Sequence, residues 1–136
     1  MARGGMGVVY EGRHAFLERP VAVKLARDGL TRAQLETAKA RLAREGRLLS
    51  RLDHPNVVRV FDAGVLPDEG PYLVLEKLEG RTLDGLIAVR GSLGLDKTLS
   101  FAPEIALALD YIHRRGVVHR DVKPENVFVV GGKLED

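Results

Sequence analysis

The sequence reads His119-Arg120-Asp121-Val122-Lys123-Pro124-Glu125-Asn126 directly after the apolar pair Val117-Val118. Five ionisable groups and one amide fall within these eight residues. By composition alone, such a run is more typical of a solvated turn. Asp121, Lys123 and Asn126 also offer a proton acceptor, a compact cation for phosphate and a carbonyl oxygen for a hard metal such as Mg²⁺. The order of the residues has to decide between these interpretations.

The composition of the 136-residue chain is that of a globular domain, with 45% hydrophobic and 29% charged residues. The length predicts one small domain or part of a larger one. Because there is no cysteine, disulfides and thiolate sites are excluded. The 21 basic and 19 acidic residues are interleaved, so nucleic acid is not an expected partner. No apolar run reaches about 18 residues and no signal pattern begins the chain, so we expect no membrane segment and a cytoplasmic location.

Two pairs of apolar, β-branched segments predict antiparallel strands in the first part of the chain. The first pair is Gly7 to Gly12 and Pro20 to Leu25. The second pair is Val57 to Ala63 and Tyr72 to Glu76, separated by a turn that contains Pro and Gly.

A helix is predicted between the strand pairs, from Arg32 to Leu52. Thr31 and Gln34 form a capping-box pattern at its start. His54-Pro55-Asn56 would end it. Its apolar residues recur at helical spacing; they are Leu35, Ala38, Leu42, Leu49 and Leu52.

Glu45 falls on the apolar stripe of this helix. An inward carboxylate needs a cationic partner, and Lys24 lies at the end of an apolar strand, so the two side chains are expected to meet. Alternatively, Glu45 extends to the edge of the stripe beside Arg41 or Arg44. Spacing alone leaves both arrangements open.

Two helices are predicted in the second part of the chain. Thr82 to Val89 is short, and Asp96 to Arg115 is long and carries regularly spaced apolar residues. Proline is tolerated in the first turn of a helix and disrupts the interior. We therefore expect the long helix to begin near Ala102, with Pro103 in its first turn.

Two glycine-rich segments have different expected roles. Gly131-Gly132 predicts a turn that joins short strands at Val127 to Val130 and Lys133 to Glu135. Gly4-Gly5-Met6-Gly7 stands before a strand, where backbone N–H groups can approach phosphate oxygens. Glycine clusters are more often plain turns, so this segment alone does not establish a phosphate site.

In this order, the segments resemble the eukaryotic-type protein kinases, particularly the bacterial serine/threonine kinases, from about Arg3 to Asp136. The resemblance rests on the glycine segment with Val9, Val21-Ala22-Val23-Lys24, Glu45 in a helix, His54-Pro55-Asn56 and the octet from His119 to Asn126. Lys123-Pro124 is similar to the serine/threonine form, since tyrosine kinases usually place Ala or Arg there. The resemblance implies an α+β protein-kinase-like fold, with a small antiparallel β lobe and one helix followed by the start of a helical large lobe.

The resemblance also implies catalytic roles. Asp121 would be the base that orients the substrate hydroxyl and accepts its proton, and Lys123 would steady the γ-phosphate. Lys24 would hold the α- and β-phosphates and pair with Glu45. Asn126 would be a magnesium ligand.

A nucleotide site follows from the same resemblance, with ATP and Mg²⁺ as cofactors and a protein Ser or Thr hydroxyl as the acceptor. Leu75 would be the gatekeeper. Glu76 to Leu78 would form the hinge, which hydrogen-bonds adenine. The remaining ATP-binding positions are the glycines Gly4, Gly5 and Gly7 and the apolar residues Val9, Ala22 and Phe128.

Two departures from the family pattern are expected to matter. The leading glycine of the loop aligns with Ala2, and the first strand of the sheet is expected to be largely missing. The metal-binding Asp of the Asp-Phe-Gly motif should follow Asn126 by about thirteen residues. Asp136 follows by ten, so it is either that ligand, brought closer by a shortened hairpin, or a frayed terminal residue.

The resemblance implies a small lobe with hinge over residues 1–80 and the beginning of a large lobe over residues 81–136. We therefore expect a catalytic domain truncated at both ends. The helix from Ala102 to Ile112 should then expose an apolar surface.

The sequence leaves three candidate functions. The first is the ATP-binding part of a serine/threonine kinase. The second is a non-catalytic kinase remnant that binds nucleotide or a partner and is inactive because of truncation. The third, a small-molecule phosphotransferase of the aminoglycoside type, is disfavoured by Lys123 and the glycine segment.

Overall fold

A computed structural model of the chain describes residues 2–4, 7–25 and 31–131. The chain divides into two compact units, Met1–Lys77 and Leu78–Asp136. The division lies close to residue 80, where the sequence places the end of the small lobe.

The first unit contains a five-stranded antiparallel sheet with the spatial order β1-β2-β3-β5-β4. Both strand pairs predicted from the sequence are confirmed, and they join through the ladder between β3 and β5. Valine, leucine and tyrosine dominate the central strands because these side chains pack well on a pleated surface. The strands are β1 (Ala2–Gly4), β2 (Gly7–Arg13), β3 (Pro20–Leu25), β4 (Val60–Leu66) and β5 (Gly70–Glu76).

The first strand of the sheet, expected to be largely missing, is present as the three-residue strand β1. It pairs with β2, with Gly4 opposite Gly7 and Ala2 opposite Val9. Its three residues include no β-branched or aromatic side chain, so strand propensity is no guide here. The strand is defined by its pairing with β2.

Helix α1 (Arg32–Leu49) packs on β4 and β5. The predicted capping box is confirmed: the Gln34 N–H donates to the Thr31 hydroxyl at 3.3 Å, and the Thr31 N–H donates to the Gln34 side-chain oxygen at 2.8 Å. The helix ends before the predicted Leu52, which is buried in the turn that follows. The side chains of residues 43–45 and 47 lie outside the described part of the helix.

The second unit is built around a short antiparallel strand pair and two helices. Leu86, Ile112 and Val129, each 5% exposed, form its buried positions. Thr82 caps the first helix by accepting a hydrogen bond from the Gly85 N–H at 3.1 Å. The elements are β6 (Gly80–Thr82), α2 (Leu83–Arg90), α3 (Gly94–His113), a 3₁₀ turn (Pro124–Asn126) and β7 (Phe128–Val130).

Strand β7 has a partner that the sequence does not suggest. The glycine pair after it predicts a local hairpin with residues 133–135, which is not tested; on its described edge β7 pairs with β6, with Gly80 opposite Val130. Residues 133–135 lie outside the described part of the chain. A local turn pattern contains no information about a pairing with a strand almost fifty residues earlier.

Helix α3 begins at Gly94, so the expected start near Ala102 is wrong. Pro103 lies inside the helix, where it cannot donate a hydrogen bond to the carbonyl of Leu99. Both residues are exposed. Water can therefore hydrate this carbonyl, which reduces the cost of the proline.

Helix α3 exposes several apolar side chains, of which Leu107 lies in the range Ala102 to Ile112 where the sequence predicts an exposed apolar surface. Leu95, Leu99 and Leu107 are 73%, 59% and 60% exposed. Among the described residues, no helix has the length and hydropathy needed to span a bilayer.

Gly80→Ala should strongly destabilise the second unit. Gly80 has a φ of 153°, and a Cβ added there would lie 2.0 Å from the carbonyl oxygen of Val129. Because this neighbour is backbone in the paired strand, the strands have to separate. We expect a loss of about 2–4 kcal/mol in the free energy of unfolding, measured with denaturant.

Gly91→Ala is the matched control. Gly91 also has a positive φ, of 78°, but a Cβ there meets no atom within 4 Å. It should cost only the backbone strain, about 1 kcal/mol. Equal losses for the two variants would contradict the steric explanation.

Candidate active site

One face of the sheet in the first unit collects four of the predicted ATP-site residues. Val9 lies opposite Lys24, and Ala22 lies opposite Leu75. Directly opposed residues of an antiparallel pair share a face, as do residues two apart on one strand. Val9, Ala22, Lys24 and Leu75 therefore share a face, and all four are half-buried.

Helix α1 covers part of the same face. A Cβ built on Gly46 of α1 would lie 3.9 Å from the Cβ of Ala63. Ala63 is opposite Leu73, which is opposite Lys24. Glu45 precedes Gly46 in this helix, but its side chain lies outside the described residues, so its ion pair with Lys24 stays a prediction.

The predicted phosphate-binding glycines lie at the hairpin between β1 and β2. Gly4 is the last residue of β1, Gly7 is the first of β2, and the two are paired. Gly5 lies outside the described residues, so the prediction that this segment covers phosphates is not tested.

Glu76, predicted to be part of the hinge, is held in place by Arg59. The N–H of Glu76 donates to the Arg59 carbonyl at 3.0 Å, and its carboxylate accepts the Arg59 N–H at 2.8 Å. Arg59 thus fixes the end of β5, a role that the sequence analysis missed because these residues are seventeen positions apart. Of the other predicted hinge residues, Lys77 ends the first unit and Leu78 begins the second.

In the second unit, Asp121, Lys123 and Asn126 come together. The Asn126 Nδ2 donates to Asp121 Oδ2 at 2.7 Å and to the Asp121 carbonyl at 2.9 Å. The Lys123 Nζ lies 3.2 Å from the same Oδ2. Oδ2 of Asp121 thus accepts a hydrogen bond from the Asn126 amide and contacts the Lys123 ammonium group. These two contacts fix the orientation of Asp121.

The backbone of this segment brings the three side chains together. Arg120 has a φ of 64°, a left-handed conformation that costs a non-glycine residue about 1–3 kcal/mol. The Asp121 N–H donates to His119 Nδ1 at 3.3 Å. The Asn126 N–H donates to the Lys123 carbonyl at 2.9 Å, which closes the 3₁₀ turn. The strained residue is thus held between a side-chain contact and a closed turn.

The electrostatics of the network keep Asp121 ionised. Burial raises the pKa of Asp121, but the hydrogen bonds from Lys123 and Asn126 and the charge of Lys123 outweigh it and hold the pKa below its ordinary value. At neutral pH the group is a carboxylate that can accept a hydrogen bond or a proton.

The donors for a magnesium ion are described only in part. The nitrogen of the Asn126 amide is engaged by Asp121, so its Oδ1 is the atom suited to a hard cation. Among the described residues, no cluster of three His, Asp or Glu could hold a metal. Asp136 lies outside them, so its role as a ligand is not tested. The role of Asn126 as a magnesium ligand likewise stays a prediction.

Phe128 is the remaining predicted ATP-site residue. It lies in β7, opposite Thr82, and is 38% exposed. Val127 separates it from the 3₁₀ turn, so its aromatic ring is two residues from Asn126 in sequence.

A family model described as protein kinase domain matches residues 1–135. The chain belongs to the protein kinase domain family. The sheet of the first unit corresponds to the small lobe of the kinase fold. The role of the octet from His119 to Asn126 as the catalytic loop stays a prediction.

Bacterial serine/threonine-protein kinases are among the named relatives of this chain. The serine/threonine-protein kinase PknK of Mycobacterium tuberculosis is 41% identical over 130 residues, which are 95% of this chain and 11% of that protein. The probable serine/threonine-protein kinase PknB of Lactococcus lactis is 38% identical over 130 residues, 95% of this chain and 20% of that protein. The chain thus spans a fifth or less of these relatives.

Solved structures confirm the kinase-like fold. The crystal structure of the PknI kinase domain of Mycobacterium tuberculosis superposes with a TM-score of 0.83 and 28% identity, covering 96% of this chain and 51% of that one. The chain therefore corresponds to about half of that kinase domain.

Lys123→Met should raise the pKa of Asp121, because it removes a hydrogen bond and a positive charge that stabilise the carboxylate. An NMR titration of the Asp121 carboxyl carbon measures this shift. Since the folded pKa is lowered, the network stabilises the fold above the ordinary aspartate pKa, and this contribution is lost as the pH falls through the folded value. The variant should therefore lose less stability in acid than the wild type.

Lys39→Met is the control for this titration. Lys39 forms an exposed ion pair with Glu36 in α1 and is not part of the Asp121 network. In the Lys39→Met variant, the pKa of Asp121 should be unchanged. An unshifted Asp121 in Lys123→Met would show that the contact with Lys123 does not control the carboxylate.

Proposed function

We propose that this chain is the nucleotide-binding and catalytic-loop part of a serine/threonine protein kinase, which transfers the γ-phosphoryl group of Mg-ATP to Ser or Thr hydroxyls of proteins. The observation that carries the proposal is the network in which Lys123 and Asn126 both contact Oδ2 of Asp121. A phosphoryl-transfer site needs an oriented carboxylate with a cation and a hard oxygen ligand close by.

The face of the sheet that carries Lys24 is the proposed nucleotide site. Val9, Ala22 and Leu75 provide half-buried apolar surface suited to a planar base. Lys24 on the same face would bind the α- and β-phosphates, with Glu45 as its partner. Rad53, a structural relative with a TM-score of 0.76 and 28% identity, was crystallised in complex with AMP-PNP, which supports this assignment.

In the proposed reaction, Asp121 binds the hydroxyl of the acceptor and accepts its proton as the new P–O bond forms. The bond between the γ-phosphorus and the bridging oxygen breaks, and ADP leaves with that oxygen. Lys123 lies beside the carboxylate and would stabilise the charge of the transferred group. Mg²⁺, when bound through Asn126 and Asp136, would neutralise phosphate charge.

The proposed acceptor of the phosphoryl group follows from the residues of the loop and from the charge of the chain. Lys123-Pro124 favours an aliphatic hydroxyl over a phenol, as in the serine/threonine kinases that this chain is similar to. The interleaved charges and the net charge of +2 favour a protein acceptor over nucleic acid. We place the reaction in the cytoplasm, where ATP is available.

The proposal is tested first by calorimetry of Mg-ATP binding to the purified chain. Lys24→Met and Asn126→Ala should each weaken binding about tenfold or more, because hydrogen bonds to charged groups contribute about 1.5–3 kcal/mol. Lys39→Met, which removes an exposed lysine of α1, should bind as the wild type does.

The second stage measures transfer from labelled ATP to a Ser/Thr peptide in the kinase protein that contains this chain. Asp121→Asn should retain ATP affinity and lose transfer, because it removes the proton acceptor and preserves the shape. Binding without any transfer in the wild type would favour the non-catalytic alternative. A folded chain without ATP binding would overturn the proposed function.

A further inference from the structure

An ion pair links two segments of the first unit that are far apart in sequence. The Lys77 Nζ lies 2.8 Å from Glu11 Oε2, and the two residues are 66 positions apart. The Lys77 side chain is 33% exposed and that of Glu11 67%. The hydrogen bond and charge of Lys77 lower the pKa of Glu11, so the carboxylate is ionised at neutral pH.

The ion pair borders the proposed nucleotide face. Glu11 lies directly opposite Ala22 in the β2–β3 ladder, so it shares the face of Ala22 and Val9. Lys77 follows Glu76, the last residue of β5, which is opposite Val21 of β3. The pair therefore spans β3 and connects β2 to the segment that leaves β5.

We propose that Glu11 and Lys77 are positioning residues that hold β2 in place for nucleotide binding and so set the affinity for ATP. This inference rests on the proposed function, because it assigns the nucleotide to the face that carries Ala22 and Lys24. The ion pair adds a second attachment for β2, beside its ladders with β1 and β3.

The expected effect follows from preorganisation. A strand that is already held in its bound position loses less freedom when the ligand binds, which raises affinity. An exposed ion pair has a small effect that salt screens. Its loss should weaken ATP binding about two- to fivefold, mainly through faster dissociation.

The test compares Glu11→Gln, Lys77→Met and the charge-swapped double variant Glu11→Lys with Lys77→Glu. Calorimetry with Mg-ATP should show about two- to fivefold weaker binding for each single variant at low salt, and recovery in the swap. At about 1 M salt, where charges are screened beyond about 3 Å, the differences should shrink. Single variants that bind as the wild type does would overturn the inference.

A second measurement needs no nucleotide. Amide hydrogen exchange in β2 should be faster in Glu11→Gln than in the wild type, because one attachment of the strand is lost. Glu36→Gln, which breaks an exposed ion pair of 2.9 Å in α1, is the matched control and should leave β2 exchange and ATP affinity unchanged.

These two measurements separate the two proposals. Unchanged β2 exchange in Glu11→Gln would overturn the positioning role even if ATP binds. If β2 exchange is faster in Glu11→Gln but the folded wild type binds no ATP, the proposed function is overturned. The effect of the ion pair on ATP affinity is then overturned with it.

Discussion

Antiparallel pairing places Val9 opposite Lys24 and Ala22 opposite Leu75, and the chemistry of the first unit depends on this register. Because side chains alternate along a strand, a slip of one residue would turn Lys24 to the other face of the sheet. Helix α1, seated through Gly46 on the face that carries Lys24, helps to specify the register, since that face must remain apolar around the helix. The packing of the sheet and the placement of Lys24 thus depend on the same register.

The second unit reaches its functional arrangement by local means. Asp121 and Asn126 are only five residues apart, and a 3₁₀ turn with one strained residue is enough to bring them into contact. The strand pair β6–β7 holds the end of this segment, and Gly80 is required where the two backbones approach closely. A local network on a short scaffold can keep its geometry while the surrounding helices carry exposed apolar surface.

Sequence reasoning worked where the signal was local. The capping box of α1, the alternation in β3 and the polar run around Asp121 were all readable, because each depends on neighbours in the chain. It missed the pairing of β7 with β6, because this ladder joins residues almost fifty positions apart. The start of α3 was predicted wrongly because of Pro103. This proline is tolerated inside the helix because it is exposed, and exposure depends on the tertiary structure. Neither member of the Glu11–Lys77 pair had any sequence signal for the other.

The central claim is that one face of the sheet binds the nucleotide, and methyl NMR during a titration with Mg-ATP tests it most directly. The β3 and β5 strands carry methyl groups on both faces, with Val23 and Val74 opposite each other on the face away from Lys24. The account predicts that the methyl signals of Ala22 and Leu75 shift with saturation while those of Val23 and Val74 move little. Larger shifts at Val23 and Val74, or equal shifts on both faces, would contradict it.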